Sequence, residues 1–167
     1  MIIRLENEGD ADAIHALTAA AFQGKPYSDG TEAHVVDALR AAGALTISLV
    51  AEDYDEMVGH VAFSPVTING QPGRWYGLGP VSVAPARQRQ GIGTALIKTG
   101  LSQVRALGAD GCVLLGDPAY YGRFGFASDP ALRYRDVDAG YVQRLSFTGE
   151  VPVGEVVFHP AFDVTGE

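Results

Sequence analysis

The chain has 167 residues, 47% of them apolar and 19% charged, which is the size and make-up of one globular domain and not of a disordered or fibrous chain. It holds no apolar run long enough for a membrane-spanning helix, and its net charge of −8 argues against nucleic acid as a partner, because phosphate backbones need a basic face. Its single cysteine, Cys112, rules out an internal disulfide, and its first residues show no basic-then-apolar leader pattern, so a cytoplasmic location is expected.

The first strand is predicted over residues 1–5. Asp10 is placed to cap a helix over 11–22, with Ile14, Leu17 and Ala21 on one face. A polar, turn-rich loop over 23–30 follows. Asp29, with Glu32 three residues on, has the spacing of a capping box for a second helix that runs to about 42 and stops at Gly43. Residues 45–52 and 57–66 read as strands joined by an acidic turn at 53–56, and Asn69-Gly70 marks the next turn. A central strand is predicted over 75–83, a helix over 90–107 ended by Gly108, and a buried strand over 112–115. Beyond Phe126 the pattern weakens, with strands expected over 132–137 and 155–158 and no assignment for 139–145.

The most informative segment joins the central strand to the long helix. It reads Gln88-Arg89-Gln90-Gly91-Ile92-Gly93-Thr94, that is Gln-x-x-Gly-x-Gly opening a helix. The first N–H groups of a helix have no partner inside it, and the helix dipole adds positive potential there. Gly91 and Gly93 have no Cβ, which lets a phosphate approach the backbone closely. The implied ligand carries a pyrophosphate. A nucleotide-triphosphate loop would need Gly-Lys followed by Ser or Thr, which is absent, and a dinucleotide fingerprint would need glycine where Leu96 stands.

This loop after an apolar strand resembles the coenzyme A loop of the GNAT superfamily of N-acetyltransferases. A second segment, Tyr120-Tyr121-Gly122-Arg123-Phe124-Gly125-Phe126, is similar to that family's Phe-Tyr-x-x-x-Gly-Phe, with Tyr replacing the first Phe. The stretches 59–66, 115–121 and 156–162 look like the bacterial YhbS-type subgroup of the same family. The resemblance implies an α/β (α+β) fold of GNAT type: a mixed, mostly antiparallel central sheet with a splayed central strand pair, flanked by helices.

The resemblance also implies acetyl transfer from acetyl-CoA to a primary amine of a small molecule or protein, by direct attack in a ternary complex. The backbone of Val81, Ser82 and Val83 would hold the pantetheine and polarise the thioester carbonyl. The amides of Gln88, Arg89, Gln90, Gly91, Ile92, Gly93 and Thr94 would hold the pyrophosphate. The Gln88 side chain would bond locally and shape the loop, and Thr94 either donates its hydroxyl or merely sits in the first helical turn. Tyr121 stands where the family's general acid stands; a phenol titrates near pH ~10 and so keeps a proton to give the leaving thiolate.

The general base stays open among Glu32, His60, Asp117 and a water chain. Cys112, inside an apolar strand, is expected to be structural and not a nucleophile. His15, His34, His60 and His159 are scattered along the sequence, and no metal is expected. A non-catalytic acyl-CoA sensor and an acyltransferase for longer acyl-CoA remain as alternatives. The sequence does not specify the acceptor or the oligomeric state.

Overall fold

The computed structural model describes residues 1–165. In chain order the elements are β1 (Ile2–Leu5), α1 (Ala11–Phe22), α2 (Glu32–Ala41), β2 (Ile47–Asp53), β3 (Glu56–Ile68), β4 (Gln71–Val83), α3 (Ile92–Ala106), β5 (Gly111–Leu115), α4 (Pro118–Tyr121), β6 (Ala127–Ser128), β7 (Leu132–Arg133), β8 (Val142–Ser146) and β9 (Gly154–Phe158). The chain divides into two compact units. Among the described residues the first holds 1–63, 79–100 and 160–165, and the second holds 64–78 and 101–159. Strands β3 and β4 each run from one unit into the other.

In the first unit β1 pairs with β2 and β2 with β3, both antiparallel. The β2–β3 turn places Tyr54 and Asp55 at φ 53° and 61°, a left-handed pair that matches the strand twist without using glycine. Val50 and His60 lie opposite each other on one face, and Val50 packs there with Ile14 of α1 and Val36 of α2. On the other face Gly59 lies against α3: a Cβ on Gly59 would come within 2.8 Å of both Ile92 Cγ2 and Leu96 Cδ1. Glycine at this position is what lets the first turn of α3 close onto the sheet.

In the second unit β4 and β5 are parallel, with a ladder from Trp75↔Gly111 to Gly77↔Val113, while β4 runs on to Val83 and β5 to Leu115. Strand β8 pairs antiparallel with β5, β6 with β8, and β9 with the end of β3. The core here is Val66, Val113, Leu132, Val142 and Val156. The sheet is thus mostly antiparallel with helices flanking it, as the family resemblance implies.

Several local expectations change. Strand β4 begins at Gln71, because Asn69 and Gly70 at φ 53° and 74° make a tight hairpin with β3. The strand expected over 132–137 shrinks to Leu132–Arg133, and the unassigned 139–145 region yields a 3-10 turn followed by β8. The Asp29–Glu32 capping box does not form. Asp29 accepts from the Thr31 amide and hydroxyl at 3.1 and 2.6 Å, so Thr31 becomes the N-cap of α2 and Glu32 its first residue. Asp10 precedes α1 but does not cap it with its side chain; the carboxylate is taken by Arg4 at 2.7 and 3.0 Å and by the Asn7 amide. No helix among the described residues is long and apolar enough to cross a membrane.

Candidate functional site

The segment from Val81 to Thr94 lies wholly within the first unit. Ser82 is buried, and its hydroxyl has no hydrogen-bond partner; Val81 and Val83 are half-buried on either side of it. The Ala84 amide donates to the Val58 carbonyl at 2.9 Å, which ties the end of β4 to β3. A 3-10 turn, Pro85–Arg87, then lifts the chain toward α3.

Two side chains fix the loop from below. Gln88 Nε2 donates to the Val83 carbonyl at 3.3 Å, and Arg87 bridges Asp53 at 2.5 Å and Gln90 at 3.0 Å. That ion pair holds the Asp53 carboxyl below the usual carboxylate range. Arg87 is therefore spent on the scaffold, whereas Arg89 is exposed.

Arg89 and Gly91 take φ 64° and 83°. A Cβ on Gly91 would meet nothing within 4 Å, so its side is open. Ile92 is buried, Gly93 and Thr94 half-buried, and no acidic residue occupies the first turn of α3. An open glycine turn leads into a 15-residue helix whose positive end has no carboxylate of its own turn beside it. This arrangement suits an anion.

Tyr121 lies in the second unit. Asp117 caps the short helix α4 by accepting from the Ala119 amide at 2.8 Å. The Tyr121 ring is half-buried in an aromatic group, with ring centroids 4.9 Å from Tyr120, 6.2 Å from Phe124 and 6.1 Å from Phe126. Gly116 seats it: a Cβ there would fall 2.5 Å from Tyr121 Cε2. The Gly116 backbone is pinned in turn, its amide to the Tyr141 carbonyl at 3.0 Å and its carbonyl to buried Gln143 at 2.6 Å. Arg123 stacks 4.3 Å over the Tyr120 ring and donates to the Tyr120 carbonyl.

The candidate bases separate sharply. His60 is fully buried on the α1–α2 face of the sheet, with Nε2 at 2.7 Å from Ser48 Oγ. Ser48 gives its only proton to Glu6, so it accepts from His60 Nε2–H, and the neutral ring keeps a bare, unpartnered Nδ1. Burial pushes the His60 pKa down to about 4, against the attraction of Glu6. Burial alone would raise the Glu6 carboxyl, but hydrogen bonds from Arg40 and Ser48 outweigh it and hold Glu6 low. His60 is thus a closed structural residue. Asp117 is engaged as a cap.

Glu32 is half-buried and lines a cleft of about 610 Å3 between α1 and the start of α2, together with Phe22, Lys25, Ser28 and Ala33; Ser28 donates to Glu32 at 2.5 Å. Cys112 is fully buried, and burial pushes its thiol up to about 12, too high for a thiolate nucleophile near neutral pH.

Sequence reading alone missed several of these positions. It gave Gly59 no role, although a glycine inside an apolar strand signals close approach. It did not find the Glu6–Ser48–His60 chain, whose members are far apart in sequence. It also judged the histidines too scattered for a cluster, yet α1 packed on α2 brings His15 and His34 together with Asp37. The His34-x-x-Asp37 spacing on one helix was the available signal.

Residues 2–128 match the family described as Acetyltransferase (GNAT) domain. The uncharacterized N-acetyltransferase YhbS of Escherichia coli K12 is 42% identical over 127 residues, covering 75% of this chain and 73% of that protein. A GNAT family acetyltransferase from Brucella melitensis, solved in complex with acetyl-CoA, is 52% identical, with a TM-score of 0.88 over 97% of both chains. E. coli YhbS in complex with CoA superposes with the same TM-score of 0.88 at 34% identity, over 99% of this chain and 93% of that one.

Proposed function

The chain belongs to the GNAT acetyltransferase family, and from that premise we propose that it transfers the acetyl group of acetyl-CoA to a primary amine by direct attack in a ternary complex. The observation that carries this reading is the open glycine turn at Gly91 leading into α3, which presents the start of a helix, its dipole potential and no carboxylate of its own turn to a pyrophosphate. Two relatives that match nearly the whole chain were crystallised with acetyl-CoA or CoA, which supports the same donor here.

In this reading the amides of residues 88–94 hold the pyrophosphate, and the Gln88 bond to Val83 keeps the loop in register with the strand. The backbone of Val81, Ser82 and Val83 pairs with the pantetheine, and an amide facing the thioester oxygen stabilises the charge that develops as the amine attacks. The new C–N bond forms, the C–S bond breaks, and the thiolate leaves. Tyr121 donates its phenolic proton to that sulfur, and the proton that the attacking nitrogen sheds on becoming an amide restores the phenol through water. Buried Cys112 takes no part.

The acceptor arrives as an ammonium and must lose a proton before it attacks. His60 and Asp117 are both committed elsewhere, which leaves Glu32 as the carboxylate that draws the ammonium into the α1–α2 cleft and takes its proton, directly or through water. The test is release of CoA thiol from acetyl-CoA across a matched panel of amines, hydroxyl compounds, peptides and RNA. Amine-dependent release is the expected result. Preferred transfer to a hydroxyl or a base overturns the amine assignment, and tight acetyl-CoA binding with no transfer to anything points to a sensor.

A further inference from the structure

We propose that His15, His34 and Asp37 form a binding site for one divalent transition-metal ion of the zinc class, separate from the acetyl-transfer machinery. Each offers one ligand atom, and those atoms all lie within 4.8 Å of one another. His34 and Asp37 sit one turn apart on α2, so their side chains leave the same face, and His15 meets them from α1. The two imidazoles stand edge to face, with centroids 5.0 Å apart.

The donor set selects the ion. Two imidazoles with one carboxylate suit zinc and its neighbours, whereas magnesium and calcium prefer oxygen alone. The site is reachable, since the His15 and Asp37 side chains are 36% and 42% exposed. His15 Nδ1 and Asp37 Oδ2 now share a direct hydrogen bond at 2.6 Å. Two ligands on one tetrahedral zinc stand about 3.3 Å apart, so the ion takes the place of that hydrogen bond with a small outward shift, and His34 turns in to complete the set. Water fills the remaining position.

Arg40 stands 3.4 Å from the other Asp37 oxygen, but its charge is already matched by Glu6 at 2.8 Å. A bound ion would clip α1 to α2 on either side of the 23–31 connection. It would therefore bind the folded chain and not the unfolded one, and raise stability by mass action.

The experiment uses the full chain without a polyhistidine tag, stripped by chelator, and titrates Zn2+ by calorimetry and Co2+ by visible absorption. The expected result is one equivalent bound, a higher melting temperature, and a Co2+ spectrum of nitrogen and oxygen ligation. His15→Ala and His34→Ala should each weaken binding by about 10- to 100-fold or more, at least the loss seen when outer-shell partners are removed. His159→Ala should not weaken it. Circular dichroism without metal checks that each variant is folded, and His34→Gln replaces any that is not. Zinc affinity unchanged by both histidine substitutions, or no binding to the wild-type chain, overturns the proposal.

Discussion

Gly59→Ala tests the link between the sheet and the phosphate loop. The added methyl would sit 2.8 Å from Ile92 Cγ2 and Leu96 Cδ1 and 3.3 Å from the Ser82 carbonyl oxygen. Carbon atoms in good contact lie about 3.5–4.0 Å apart, so α3 must retreat by roughly 0.7–1.2 Å or its side chains must leave their rotamers. Overpacking of this kind costs about 1–3 kcal/mol. At about 2–4 °C per kcal/mol for a chain of this size, a 2 kcal/mol loss lowers the melting temperature by about 4–8 °C. Ile92 belongs to the turn that presents the loop amides, so the KM for acetyl-CoA should rise several-fold as well. Gly73→Ala is the control, because a Cβ there meets nothing within 4 Å. Thermal melts and initial rates on both variants decide the matter. A Gly59→Ala protein as stable and as tight for acetyl-CoA as Gly73→Ala would refute the argument that α3 needs this close approach.

Tyr121→Phe removes one hydroxyl and keeps the ring on Gly116; turnover should fall by about 100-fold with acetyl-CoA affinity little changed, and wild-type turnover at every pH would mean that water or another group protonates the thiolate. Stability should fall as pH drops from about 6.5 toward 4, because unfolded His60 takes up a proton that the buried ring refuses until about pH 4. With about 2.5 pH units between the two states, at about 1.4 kcal/mol each, the loss approaches about 3 kcal/mol; denaturant melts across that window check it, and a flat profile contradicts a neutral buried His60. Cys112→Ala should keep full activity and lose only packing, with trapped acetyl-Cys112 in a mass spectrum as the contrary result.

The loop and its helix were legible because their message is local. Gln-x-x-Gly-x-Gly states both the turn geometry and the helix start within seven residues, and Gly91 does adopt the left-handed conformation that only glycine takes easily. The Tyr120–Phe126 hook was readable for the same reason, with Gly125 at φ 95° ending its turn. What stayed hidden depends on residues brought together across long separations. His60 stood among the candidate bases, although a lone histidine in an apolar strand is more often structural; its contact with Ser48, and through it with Glu6, supplies the partners that make it so. The capping box at Asp29–Glu32 had the right spacing, but Thr31 lay between them and offered Asp29 a nearer amide and hydroxyl. Residues 127–153 form short strands held by pairing with β5 and β9, so their own periodicity is too brief to be read.

The central claim is that the turn at Gly91 holds the donor's pyrophosphate. Calorimetric titration of acetyl-CoA into the wild-type chain and Gly91→Val tests it most directly. Valine at φ 83° strains the backbone by about 1–2 kcal/mol, but its Cβ meets nothing within 4 Å, so the fold should survive while the loop amides lose their arrangement. The account predicts one acetyl-CoA bound per wild-type chain and no measurable binding to a folded Gly91→Val protein. Equal affinity in the two would contradict it.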